Sequence, residues 1–378
     1  MESNKHVSIA DKDVYFDYID GLRGFAVLMV VAIHTSQGLG YYYDPDFGSW
    51  YTRLLWNSCG RGVDLFFILS AFTLFNSSHK RFAMDRRPVL YFYVRRAFRI
   101  LPLWWGAITV FGPMRDRTMA AMVASALFYF GFMRYDANME VVGGGWTLFV
   151  EETFYLLLPL IFAKITDLKS SLRFLFVLYC VMQLWTRGAA KIGVPETNAF
   201  IVMFPLSYWF CFAYGITIYF LLQNQNFTET IKSKARLLDM LAIFGMFTLF
   251  MRPLTLSTFA LALFVVTASL PNTICGKITR NRLLMKYGTC CYSIYLFHAL
   301  VFHSIHSYIP PILNACGLGT APLTVKSVAA FVLMAAACLP FGLLSFRFIE
   351  KPAVQIGKRV INRMQALPDA KTVAAETA

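Results

Sequence analysis

The stretch YIDGLRGFAVLMVVAIHTSQ, residues 18–37, has the length and apolar content of a membrane-crossing helix, yet it carries Arg23 near one end and His34 about two-thirds of the way along. At 1.5 Å per residue, such a stretch covers a hydrocarbon core of ~30 Å. Arg23 and His34 are eleven residues apart, about three helical turns with a net rotation of about 20°. They share a face and lie roughly 16 Å apart along the axis. An ionisable residue inside a bilayer is expensive and faces a cavity or a partner instead of lipid. Taken alone, Arg23 reads equally as a snorkelling anchor and His34 as a hydrogen-bonded packing residue.

The rest of the chain has the same character. Of 378 residues, 57% are hydrophobic, 16% aromatic and 15% charged, with a mean hydropathy of +0.54. That composition excludes an ordinary soluble domain. Residues 1–17 are polar and of mixed charge, unlike a signal peptide, so the first span is expected to insert uncleaved. The net charge of +14 does not point to nucleic acid, because the basic residues lie between apolar runs and form no single patch with interleaved aromatics. They follow the positive-inside pattern, with an added attraction to anionic membrane lipid. Eight cysteines include no CxxC pair and read as small core residues, not as a disulfide framework.

Eleven apolar runs are visible, at roughly 18–38, 62–78, 91–112, 119–133, 146–163, 172–186, 203–222, 236–251, 254–270, 288–308 and 324–346. If all cross from a cytoplasmic N-terminus, fewer than half of the 35 lysines and arginines fall inside; if 119–133 dips in without crossing, about three-quarters do. The expected fold class is therefore all-α: a polytopic transmembrane helical bundle of about ten spans plus one re-entrant segment. Both termini are expected in the cytoplasm and the bundle in the cell (inner or plasma) membrane. A hairpin of the 236–251 and 254–270 runs is expected to turn at Arg252-Pro253, where proline interrupts the helix. Residues 1–363 read as one membrane domain and 364–378 as a disordered cytoplasmic tail. The roughly thirty residues after Glu350 are too few for another folded unit.

On this topology several unusual side chains reach matching depths. Glu151, in GGGWTLFVEETFYLLLP, enters from the outer side at about the depth of His34. A carboxylate beside a histidine orients the imidazole and stabilises its cation, the arrangement of a general base. Asp64, in CGRGVDLFFILSAF, is a second possible partner, or a first-turn acid favoured by the helix dipole. At the inner surface, MDRRPVLYFYVRRAFRILPLWW carries Arg86, Arg87, Arg95, Arg96 and Arg99. The first two read as topology determinants. Arg96 and Arg99 share a helix face, where planar guanidinium groups suit phosphate oxygens. Tyr295 and His298 lie near one another in CYSIYLFHAL, as packing residues or as lining of an acyl pocket. His298, His303 and His306 do not share one tight helix face and are joined by no carboxylate or cysteine, so no metal site is expected.

These residues carry a resemblance. IDGLRGFAVLMVVAIH, GRGVDLFFILSAF, RRAFRILPLWW, WTLFVEETFYLLLP, GTCCYSIYLFH and FRFIEKP resemble, in order, the motifs of the acyltransferase-3 family of integral membrane acyltransferases. Departures are Ala71 where glycine is usual, Thr147 for serine, and Cys290 and Cys291 where serine or tyrosine is common. The resemblance implies ten spans and transfer of an acyl group, usually acetyl, from cytoplasmic acyl-coenzyme A to a hydroxyl of an extracytoplasmic or lipid-linked glycan. It implies that Arg23, Arg96 and Arg99 hold the donor phosphates. His34, oriented by Glu151, then deprotonates the acceptor, with Asp64, Tyr295 and His298 in support. Some relatives add an extracytoplasmic esterase-like domain; here acceptor transfer is expected from the membrane domain itself, from a homo-oligomer or with a separate partner protein. The competing class is a proton-coupled transporter, whose inverted repeats are not visible in the sequence.

Overall fold

A computed structural model describes residues 17–42, 58–133, 140–191, 199–248 and 254–366. Helix α1 spans Asp17–Tyr42, with Asp17 and Asp20 in its first turn, where the helix dipole favours acids. Helix α2 is Gly62–Met84, and α3 is Pro88–Met114, opened by a proline whose missing N–H costs nothing there. The short α4, Met119–Ala126, starts on Thr118, whose side chain accepts from Ala121 N–H, and a 3₁₀ turn follows at Tyr129–Phe132. Eight residues rise only about 12 Å, so α4 is too short to cross a bilayer.

Helix α5 is Gly145–Lys164 and α6 is Leu168–Lys191. Between them Asp167 accepts from Ser170 N–H at 2.6 Å, which holds its carboxyl below the usual range. There follow α7 (Ala199–Met203), α8 (Trp209–Gln223), α9 (Gln225–Ser233), α10 (Ala235–Thr248) and α11 (Leu254–Ala268). Helices α10 and α11 pack side by side; the expected turn at Arg252-Pro253 lies outside the described residues. After α12 (Ile274–Thr279) and α13 (Arg282–Thr289), α14 covers Cys291–Ile305 and α15 Ile309–Ala315. Helix α16 (Leu323–Ser345) passes through a π-helical turn at Phe346–Glu350 into α17 (Lys351–Ala366). Residues 364–366 of the expected tail are thus helical, and the remainder lies outside the described residues.

No strand occurs among the described residues. Among the described residues, four helices are long and apolar enough to cross a membrane: Asp17–Leu39, Gly145–Lys164, Leu168–Ala189 and Leu323–Ala366. Gly62–Ser78, Trp209–Gln223 and Thr255–Ala268 are shorter apolar helices. Exposed apolar side chains such as Phe176, Leu184, Phe259 and Val332 lie on these helices, as expected where lipid is the solvent.

The centre of the bundle is α1. Its glycines let other backbones approach closely: a Cβ on Gly24 would collide with the Leu284 carbonyl of α13, and one on Gly21 with the Thr279 carbonyl of α12. Its other faces meet α2, α14 and α16. Helices α3 and α5 run antiparallel. Gly145 packs on the Trp104 ring at one end, and Tyr93 Oη donates to the Leu156 carbonyl at 2.7 Å at the other. Both contacts are eleven residues apart on each helix, so Glu152 stands opposite position 97.

Candidate active site

His34 and His298 meet at the crossing of α1 and α14. His298 is buried, and its Nδ1 lies 2.7 Å from the Tyr295 carbonyl oxygen. A carbonyl only accepts, so that nitrogen carries the proton and, in the neutral ring, Nε2 is left as an acceptor. Nε2 lies 3.0 Å from His34 Nδ1, which is also 3.0 Å from the Val30 carbonyl. With both rings neutral, His34 Nδ1 donates to these two acceptors and His34 Nε2 keeps its lone pair. His34 is exposed although Ile33, Thr35 and His298 around it are buried, so its ring borders an opening in the bundle.

Tyr295 forms the next layer on α14. Its Oη lies 2.6 Å from Thr147 Oγ1 and donates to the Gly144 carbonyl at 3.1 Å. Gly144 has φ +84°, a left-handed conformation suited to glycine, and aims its carbonyl into this contact at the start of α5. Glu140 accepts from Trp146 N–H at 3.1 Å and satisfies one of the orphan donors of that helix end.

Glu151 is one turn further along α5 and belongs to a different layer. It accepts from Ser70 Oγ at 2.5 Å and from Tyr155 Oη, and Ser70 also bonds Tyr155. The Arg96 guanidinium sits over the Tyr155 ring, 5.8 Å from its centroid. Thr73, one turn from Ser70 on α2, accepts from Arg23 Nη2 at 3.2 Å, and Arg23 pairs with Asp20 at 3.4 Å. Arg99 is exposed one turn beyond Arg96, and Cys291 at the start of α14 lies within Coulombic range of both Arg23 and Arg99. The three arginines singled out in the sequence thus converge on one region, bounded by α1, α2, α3, α5 and α14.

The expected pairing of His34 with Glu151 is not what the structure holds: among the described residues, His34 pairs with His298 and Val30, and Glu151 with Ser70 and Tyr155. The helix rise explains the difference. Glu151 is one turn below Thr147, which meets Tyr295, and His298 is three residues above Tyr295, so the two groups are about 10 Å apart along the bundle. The expected depth assumed that α5 begins at the outer surface. Instead Val141 and Val142 are fully buried, so the chain has already entered the bundle where α5 starts. Asp64 is no partner of His34 either: it is buried and pairs with Arg61 at 3.5 Å. Of the three late histidines, His298 turns to His34, while the rings of His303 and His306 stack at 5.7 Å.

Several polar residues in this region were not singled out from sequence. Ser70 and Thr73 follow the LFFIL run at helical spacing, and Tyr155 follows Glu151 by four, so a search for polar residues on one helix face finds all three. Glu152, adjacent to Glu151, was masked by its neighbour.

A family model described as an acyltransferase domain, of the acyltransferase-3 type, matches residues 16–347. Over 377 residues the chain is 24% identical to "Peptidoglycan O-acetyltransferase OatA" of Listeria monocytogenes, covering 89% of this chain and 56% of that protein. Over 403 residues it is 23% identical to "O-acetyltransferase OatA" of Staphylococcus aureus, covering 96% and 60%. The chain therefore spans little more than half the length of these relatives. No solved structure matches.

Proposed function

Because the chain belongs to the acyltransferase-3 family, we propose that it is a membrane O-acyltransferase, moving an acetyl group from cytoplasmic acetyl-coenzyme A to a hydroxyl of a glycan beyond the membrane. The observation that carries this reading is the histidine pair: with Nδ1 of His34 engaged by His298 and Val30, Nε2 of this exposed residue keeps its lone pair. In the proposed reaction His34 Nε2 takes the proton of the acceptor hydroxyl as its oxygen attacks the thioester carbonyl. The carbon–sulfur bond then breaks, and the imidazolium returns the proton to the departing thiolate. His298 holds the His34 tautomer and ring orientation, the role a carboxylate plays in a serine hydrolase triad.

The donor phosphates are assigned to Arg23, Arg96 and Arg99, roughly 16 Å from His34 along α1 in the case of Arg23. In this reading Glu151 is a positioning residue: with Ser70 it holds Tyr155, the platform under Arg96. Tyr295 holds the start of α5 against α14, and Asp64 with Arg61 supports the start of α2. The proposed placement has ten spans and both termini in the cytoplasm, so that the arginines face the donor and His34 the acceptor.

The acceptor is proposed to be a cell-envelope glycan. The name of the Listeria relative specifies peptidoglycan, and O-antigen or another surface polysaccharide carries the same kind of hydroxyl. Mass spectrometry of ester groups on peptidoglycan fragments and on surface polysaccharide, with and without the protein, tests the reading. Loss of O-acetyl groups from one glycan supports it and names the acceptor; unchanged ester content in every envelope glycan contradicts it.

A further inference from the structure

We infer that Glu152 is a binding residue for the arm of the acyl donor, taking hydrogen bonds from its pantoyl amide N–H and hydroxyl as the arm passes from the arginines to the histidine pair. The inference rests on the donor assignment above and adds to it a residue and a part of the ligand.

Three observations carry it. First, Glu152 Oε1 is buried and has no hydrogen-bond partner among the described residues, and the same is true of Arg96 Nε. A buried carboxylate oxygen left without a donor is costly, so such a group is expected to meet one from a ligand. Second, the antiparallel register of α3 and α5, set by Gly145 on Trp104 and by Tyr93 on Leu156, places Glu152 opposite position 97. Two opposite charges, Arg96 and Glu152, therefore stand at one level on facing helices, yet neither orphaned atom bonds the other. Third, solvent reaches the neighbouring turn: Arg99, on the same face of α3 as Arg96, is exposed. On the α14 side, Tyr292 Oη donates to the Ile100 carbonyl at 2.9 Å and closes the wall.

The depth fits the ligand. Glu152 lies five residues beyond Thr147 on α5, and His298 three residues beyond Tyr295 on α14, so Glu152 is about 12 Å from the histidine pair along the bundle. In an extended chain rising about 1.2 Å per bond, the pantoyl amide nitrogen is roughly 8 Å and the pantoyl hydroxyl roughly 12 Å from the thioester sulfur. With the thioester at His34, the pantoyl hydroxyl comes to the level of Glu152, the amide N–H lies about one helical turn nearer the histidines, within the span of the glutamate side chain, and the phosphates lie beyond, among the arginines.

The test is binding to the full-length protein in nanodiscs, with two probes. Coenzyme A has the arm; adenosine 3′-phosphate 5′-diphosphate has the phosphates and lacks it. Glu152→Ala should weaken coenzyme A binding about tenfold and leave the nucleotide unchanged. Glu152→Gln, which keeps the shape and one acceptor oxygen, should fall between wild type and Glu152→Ala. Equal losses for both probes, or no loss for either, overturns the assignment of Glu152. Wild-type protein that binds neither probe overturns the donor reading on which it rests.

Discussion

His298 Nε2 lies 3.0 Å from His34 Nδ1, and His298 Nδ1 lies 2.7 Å from the Tyr295 carbonyl, so one backbone oxygen sets the protonation pattern of both rings. A neutral imidazole in this place orients the base but stabilises the imidazolium less than a carboxylate does. His298→Leu should therefore lower kcat for acetyl transfer about 10- to 100-fold, the usual cost of losing an orienting neighbour. His298→Gln offers an amide oxygen near the position of Nε2 and should restore part of the loss. A variant that changed donor KM and left kcat intact would assign His298 to binding instead.

Glu151 separates the geometry from the depth argument made on sequence. A carboxylate that oriented His34 would, as Glu151→Gln, reduce kcat with donor affinity unchanged. Bonded to Ser70 and Tyr155 beneath Arg96, it should instead weaken coenzyme A binding several-fold and lower the rate at saturating donor much less. Isothermal titration paired with initial rates distinguishes the two.

Arg96→Ala should weaken coenzyme A and adenosine 3′-phosphate 5′-diphosphate alike. Charge-assisted hydrogen bonds to phosphate are worth about 1.5–3 kcal/mol, or roughly 10- to 150-fold in affinity. Arg96→Lys keeps the charge but loses the planar fork that lies over Tyr155, and should recover only part of the binding. Unchanged affinity in Arg96→Ala would remove it from the donor site.

Gly24 tests the packing of the central helix. A methyl group there meets the Leu284 carbonyl, which is backbone and does not move aside cheaply. Gly24→Ala should cost about 1–3 kcal/mol, the usual range for overpacking, and be seen as a lower unfolding temperature in detergent. Gly188, with open space around its Cβ position, is the matched control, and Gly188→Ala should leave that temperature unchanged or slightly raised.

How far these features were legible in the sequence depended on whether they were set within one helix or between helices. Arg23 and His34 on one face of α1, and Arg96 with Arg99 on one face of α3, follow from 3.6-residue periodicity. The partner of His34 did not follow, because it depends on the relative depth of α1, α5 and α14. That depth is set by residues 140–142, which are already buried in the bundle before α5 begins, and by Tyr295 bonding the Gly144 carbonyl. A run of glycines reads as a surface loop, and only the burial of Val141 and Val142 reveals otherwise. Glu152 was hidden for a related reason: adjacent carboxylates look alike in sequence, and only the packing of the helices separates Glu151, bonded to Ser70, from Glu152, whose Oε1 is buried at the level of Arg96.

The central claim is that His34 is the base for acetyl transfer, and it is tested most directly with purified protein in liposomes given radiolabelled acetyl-coenzyme A on one side and acceptor glycan on the other. Wild-type protein should place label on the glycan. His34→Ala should bind coenzyme A as tightly as wild type and transfer label more slowly by about 10²- to 10⁴-fold, the usual contribution of a positioned general base. Transfer by His34→Ala at the wild-type rate would contradict the account.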